Sequence, residues 1–408
     1  MSSPSSGPAS GPTSHASTEP LNQPMNQVLA HHHLATISTQ QEEDFPHQDN
    51  PHSHIPEATS IAHDEKPWRK RTSSRLQGAR TRLGLHPTAP IEEEHDSAEH
   101  QELLWSKIRL ILREPLAEFF GVFILVLFGD GSVAQVQLSV GQTTAPGGNG
   151  FGNYQSISWG WGLGTMLGIY VAGDSGAYLN PAITFANCYF RQLPWRRFPM
   201  YFAAQFLGGF AASGVVYANY INAIDNVEGY GVRTVPPAPN ATAGIFCTYP
   251  QPFLTKASQC MSEFITSTIL MFVIFALKDE GHNGVSKGGG NWFPLALFFL
   301  IFGLGACFGW ETGYAINTAR DFGPRLMSYI VGYGTEVWSA GGYYFWIPIA
   351  MSFAGCFFGA FLYDLAIYTG PSPVNTPWMG LKQIFRPDLA VKARVKRNRE
   401  FSDPDRMV

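Results

Sequence analysis

The chain has 408 residues, of which 45% are hydrophobic and 14% charged, and its formal net charge is −4. That length leaves room for two or three soluble domains, or for one membrane domain with tails. Five cysteines do not make a disulfide scaffold. No nucleophile–base pair, metal-ligand spacing or phosphate loop is present, so the chain is not expected to be an enzyme, to hold a metal or cofactor, or to bind nucleic acid.

Residues 1–100 are rich in Ser, Pro, His, Gln and Glu and poor in aliphatics. They cannot bury enough apolar surface to offset the entropy of ordering, and a disordered cytoplasmic tail is expected there. Its His31-His32-His33 tract reads as solvated. Ser73 and Ser74 sit in "RKRTSSR", a basic stretch that suits anionic lipid and whose contact phosphorylation would weaken. The start lacks the basic and apolar regions of a signal peptide, so the first span is expected to act as the targeting signal.

From about residue 114 the composition inverts. A hydrocarbon core of roughly 30 Å takes about 20 helical residues, and six segments reach that length: 114–138, 156–173, 198–220, 258–278, 292–310 and 343–368. Two shorter apolar stretches, 181–190 and 318–330, span only about half a bilayer. The expected fold is an all-α polytopic membrane protein with six transmembrane helices and two re-entrant half-helices. The membrane domain covers 101–370, followed by a basic cytoplasmic tail over 371–408.

Lys and Arg crowd both tails and the loops near 191–197 and 278–290, whereas the loops near 139–155 and 331–342 have neither. The positive-inside rule therefore places both termini in the cytoplasm, with the plasma membrane as the default location. The loop at 221–256 then faces outward. It carries Asn240-Ala241-Thr242, a glycosylation acceptor pattern. Cys247 and Cys260 fall near that same face, which leaves a bridge between them open.

The chain also repeats itself. "SGAYLNPAIT" (175–184) matches "TGYAINTARD" (312–321), and "LAEFF" around Glu118 matches "MSEFI" around Glu263. Each half, about 113–220 and 257–368, holds three spans, an odd number, so the repeats must be inverted. Irregular backbone at membrane depth survives only beside protein or a water-filled cavity. The two half-helices are thus expected to meet near the midplane beside a pore. Asn180, Pro181 and Ala182 would stand there with Asn317, Thr318 and Ala319. Asn caps helices well and Pro181 suits a first turn. Two positive helix ends converging on one spot suit neutral, hydrogen-bonding solutes and repel cations and protons. The matched positions of Glu118 and Glu263 read as braces for the re-entrant loops rather than as a proton relay. Asp321 reads as a residue that positions loop backbone. Glycine and alanine runs such as "FLGGFAASG" (206–214) read as close helix packing.

With both boxes in hand, the chain resembles the major intrinsic protein family, the aquaporins and aquaglyceroporins, over about residues 113–368. The likeness rests on "NPA" at 180–182, "NTA" at 317–319 with Arg320 after it, "AEF" in the first span and "WGLGTMLGIY" in the second. Asp321 after the arginine, "KDEGHNGVSKG" (278–288) and "GTEVWSAGGYYFWIP" (334–348) are similar to the glycerol-conducting branch. The resemblance implies a tetramer in membrane lipid, one pore per subunit, passing glycerol and water. It implies a narrow filter of Trp161, Gly305, Tyr314 and Arg320. Two aromatic faces accept a carbon chain while the arginine donates to hydroxyl oxygens. The water-selective filters of the family usually carry a histidine, and here eleven of twelve histidines fall by residue 100 while His282 is in a loop.

The chain departs from the family pattern at three places, one being "VAGDSGAYLN" (171–180), which is one residue short beside the glycerol facilitators. Thr318 stands where the second box has Pro, which restores a backbone N–H. Tyr178 stands where the family has His, near the cytoplasmic mouth, so a narrower water or hydrogen peroxide channel, gated there, is the alternative. Proton-coupled polyol transport through Glu118 and Glu263, or a non-conducting sensor, are the remaining rivals.

Overall fold

The protein is described here from a computed structural model covering residues 103–142, 144–282, 284, 292–376 and 379. The N-terminal tail, with its histidine tract, Ser73 and Ser74, lies outside the described residues, as does most of the C-terminal tail. Among the described residues the secondary structure is helical throughout, without strands.

Six long helices form the framework: α1 (Leu104–Ser139), α2 (Tyr154–Ala172), α4 (Arg197–Glu228), α5 (Lys256–Lys278), α6 (Phe293–Thr312) and α9 (Trp346–Ala366). Two short ones, α3 (Pro181–Phe190) and α7 (Thr318–Ser328), follow the second long helix of each half. A short, kinked α8 (Glu336–Tyr343) precedes α9. At 1.5 Å per residue α3 and α7 run about 15 Å and 17 Å, half a hydrocarbon core. Four of the long helices, α4, α5, α6 and α9, are long and apolar enough to cross a membrane by composition alone. The other two are diluted by Glu118 and Asp130 in α1 and by four glycines in α2.

Two helices are longer than the hydropathy suggests. α1 begins at Leu104 rather than near 114, because Lys107, Arg109 and Arg113 lower the hydropathy without interrupting the helix. α4 continues past residue 220 through a polar stretch until Gly229, at φ +107°, stops it. At 32 residues, about 48 Å, it outruns the bilayer.

The repeat governs the packing. α1 packs on α2 and α4, and α5 packs on α6 and α9. Each half-helix rests against the third long helix of the other half, α3 on α9 and α7 on α4. Close approach is secured by Gly208, where a Cβ would strike the Phe119 carbonyl, and by Gly355, where it would strike that of Phe264. Phe119 and Phe264 each follow a repeat glutamate, so the two crossings are the same crossing made twice.

All five cysteines are free. The bridge left open between Cys247 and Cys260 does not form. Cys247 is fully buried in the loop between α4 and α5, where its Sγ donates to the Tyr249 hydroxyl at 3.3 Å. Burial pushes that thiol up to about 11, so it carries little of the thiolate that disulfide chemistry needs.

Candidate functional site

The site is built on two asparagines. Each occupies the N-cap of its half-helix in extended backbone, at φ −153° for Asn180 and −147° for Asn317. The Asn180 Oδ1 accepts from the Ala182 N–H at 2.9 Å, and Pro181 follows as the first helical residue, with no N–H to satisfy. The Asn317 Oδ1 accepts from both Ala319 and Arg320, at 2.9 and 3.3 Å. That second bond holds the first turn of α7 where Thr318 replaces proline, and α7 starts one residue after its asparagine, as α3 does. The two side chains also cross-link the halves. Asn180 Nδ2 donates to the Ile316 carbonyl and Asn317 Nδ2 to that of Leu179, both at 2.7 Å. The half-helix N-termini therefore face each other, and each asparagine keeps a second N–H for the lumen it lines.

The backbone leading to each asparagine is strained twice over. Ala177 and Leu179 have φ +49° and +53°, and their repeat equivalents Tyr314 and Ile316 have +37° and +43°. Such non-glycine conformations cost roughly 1–3 kcal/mol each and persist only where surroundings enforce them. Glu118 accepts from the N–H groups of Tyr178 and Leu179 at 2.9 and 2.8 Å, and also from Ser175 and Gln205. Glu263 accepts from Ala315 and Ile316, both at 3.0 Å, and from the Tyr344 hydroxyl. Both glutamates are fully buried. The loops are thus pinned by buried carboxylates that take up their N–H groups.

A cavity of about 60 Å³ threads past both asparagines, from Arg320 at one end to Tyr178 and Lys278 at the other. That volume admits small molecules in single file. Its lining combines the polar side chains of Asn180, Asn317 and Arg320 with aliphatic ones, Ile169, Leu270, Leu297 and Ile301 among them.

At the Arg320 end the four residues named from the resemblance come together. The guanidinium lies 3.9 Å from the Trp161 ring centroid and its Nη1 donates to the Phe246 carbonyl at 3.1 Å. Tyr314 is 5% exposed and packs on Gly305, where a Cβ would come within 2.7 Å of the phenol oxygen. Gly305 is the space that Tyr314 occupies. Behind Arg320, Asp321 accepts from the Thr248 N–H and hydroxyl and pairs with Arg325 at 2.9 Å. Arg325 in turn donates to the carbonyls of Thr248 and Val337. This knot ties the loop between α4 and α5 to α7.

At the other end Tyr178 and Lys278 are the two residues shared by the cavity and a polar vestibule of about 520 Å³. The Lys278 ammonium stands 5.5 Å from the Tyr178 ring and 4.6 Å from that of Phe293. Asn240 is remote from the cavity, exposed on a turn at φ +60°.

Two residues escaped the sequence reading. Lys278 looked like a loop charge, and only the fold brings it beside Tyr178. Asp130 left a signal. The brace glutamates are 145 residues apart, and 145 residues beyond Asp130 is Phe275. An intramembrane carboxylate outside the repeat was therefore visible and unexplained.

Comparison with known proteins agrees with this geometry. The family model for the major intrinsic protein matches residues 105–363. The chain is 59% identical over 321 residues to Aquaglyceroporin-9 of Botryotinia fuckeliana, covering 78% of this chain and 68% of that one. It is 60% identical over 300 residues to Probable aquaglyceroporin-2 of Gibberella zeae, covering 73% and 85%. The X-ray structure of the aquaglyceroporin from Plasmodium falciparum superposes with a TM-score of 0.53 at 29% identity, covering 63% of this chain and 96% of that one. The duplicated asparagine boxes, the half-helices they cap and the pore between them thus have one explanation: the chain belongs to the major intrinsic protein family.

Proposed function

We propose that the protein is a passive channel for glycerol and water, with Trp161, Gly305, Tyr314 and Arg320 as its filter and the two asparagine boxes as its midpoint. The observation that carries this reading is the mixed lining of the conduit. Arg320, Asn180 and Asn317 offer N–H donors, and aromatic and aliphatic groups complete the lining. A polyol presents both hydroxyls and a carbon chain, so each part of it meets a complement. Glu118 and Glu263 are occupied by loop N–H groups, which argues against a relay that must bind and release protons.

We assign both termini to the cytoplasm and the protein to the plasma membrane, on the distribution of Lys and Arg. The outward-facing Phe120, Phe128, Leu207 and Val215 suit contact with lipid or with neighbouring subunits of a homotetramer. Asn240, exposed in the outer loop, suits glycosylation.

Paired osmotic swelling of proteoliposomes, once for water and once under an inward glycerol gradient, tests the function. Fast glycerol entry is expected. Water entry without glycerol would favour the narrower channel, and uphill glycerol accumulation abolished by a protonophore would overturn passivity. In the same assay Gly305→Leu is expected to cut glycerol entry at least tenfold, because its side chain would compete with Tyr314 for one space. Tyr178→Ala is expected to raise glycerol entry several-fold by widening the inner mouth, and an unchanged rate would show that Tyr178 does not limit passage.

A further inference from the structure

Asp130 is the group that the channel reading leaves over. It lies on α1, is 0% exposed, and neither of its carboxylate oxygens accepts a hydrogen bond. The Arg320 Nη1 stands 3.9 Å from its Oδ1, close enough for charge pairing and too far for a hydrogen bond. The neighbouring residues fix this arrangement. Gly129 has no Cβ because the Trp161 ring fills that space, and the Arg320 guanidinium lies on the same ring. Asp130, Trp161 and Arg320 therefore form one cluster, with the carboxylate behind the pore wall. The other carboxylate nearby, Asp321, is already engaged by Thr248 and Arg325. A buried carboxylate without hydrogen bonds is costly, and an apolar residue would pack there at less cost.

We propose that Asp130 is a specificity-determining residue that acts through Arg320. Its charge offsets the arginine's field from behind the filter, so that the guanidinium donates to uncharged hydroxyl solutes without drawing small anions into the pore. An unopposed guanidinium in a narrow, partly apolar passage attracts anions. An opposite charge a few ångströms away cancels much of that field while leaving the N–H donors in place. The inference rests on the reading of Arg320 as a filter residue.

The test is nitrate permeability beside glycerol permeability in proteoliposomes holding wild type, Asp130→Asn or Asp130→Glu, at matched protein content. Asp130→Asn is expected to raise the nitrate-to-glycerol ratio at least tenfold, and Asp130→Glu to return it to within threefold of wild type. Should Asp130→Asn fail to assemble, Asp130→Ser, smaller and equally uncharged, carries the same expectation. A ratio unmoved by removing the charge, in protein that still conducts glycerol, overturns this proposal alone and leaves the carboxylate a packing group. A wild type that passes no glycerol overturns the filter reading as well, so the two failures are told apart.

Discussion

Arg320→Ala is expected to lower the glycerol-to-water permeability ratio by about tenfold and to open a leak to small cations. Arg320 is 7% exposed, lies over the Trp161 ring and gives one N–H to the Phe246 carbonyl, which leaves other N–H groups to meet solute. A hydrogen bond to a charged group contributes about 1.5–3 kcal/mol, and about 1.4 kcal/mol is one factor of ten. Water, smaller and less dependent on an oriented donor, gains from the wider opening. The positive charge also opposes cations: two like unit charges 4 Å apart repel by about 4 kcal/mol at an effective dielectric near 20, an upper bound that the Asp130 carboxylate beside the arginine lowers. Arg320→Lys separates the two effects. It keeps the charge and loses the planar fork, so cations should stay excluded while glycerol entry falls. The assays are stopped-flow swelling for both solutes and potassium-dependent membrane potential in the same vesicles. A glycerol-to-water ratio unchanged in Arg320→Ala would remove the arginine from the filter.

Asp321→Ala is expected to be the most destabilising single change in the Arg320 half of the channel. Asp321 is fully buried and accepts from Thr248 twice and from Arg325 through Nε and Nη2. Removing it strands Arg325, which is 1% exposed and whose other hydrogen bonds go to the backbone carbonyls of Val337 and Thr248. Breaking a buried pair in this way costs about 3–5 kcal/mol, which at about 2–4 °C per kcal/mol lowers Tm by roughly 10 °C. Thermal unfolding in detergent is the measurement. The double variant Asp321→Leu with Arg325→Met should recover most of the loss, because no charge is then left unpaired. A single variant as stable as wild type would mean that the knot carries no net energy.

The sequence by itself determined the framework. The number and order of the long helices follow from the apolar runs, since a bilayer leaves unpaired backbone no alternative to a helix, although α1 and α4 extend beyond those runs. The inverted repeat was legible because "SGAYLN" and "TGYAIN" share a glycine four residues before the asparagine, and each half carries a brace glutamate in its first span. Capping was legible for the same reason: an asparagine before a short apolar run has one local use. The tertiary structure decided what depends on residues distant in the chain. Strained φ angles at Ala177, Leu179, Tyr314 and Ile316 are invisible in composition, because they are imposed by glutamates on other helices. The reciprocal bonds from each asparagine to the opposite loop span 136 and 138 residues. Lys278 beside Tyr178, and Asp130 behind Arg320, arise where three elements converge, and no local pattern encodes such a meeting. Periodicity and repeats record what each segment does alone, whereas the field inside a pore is set by which charges the packing brings together.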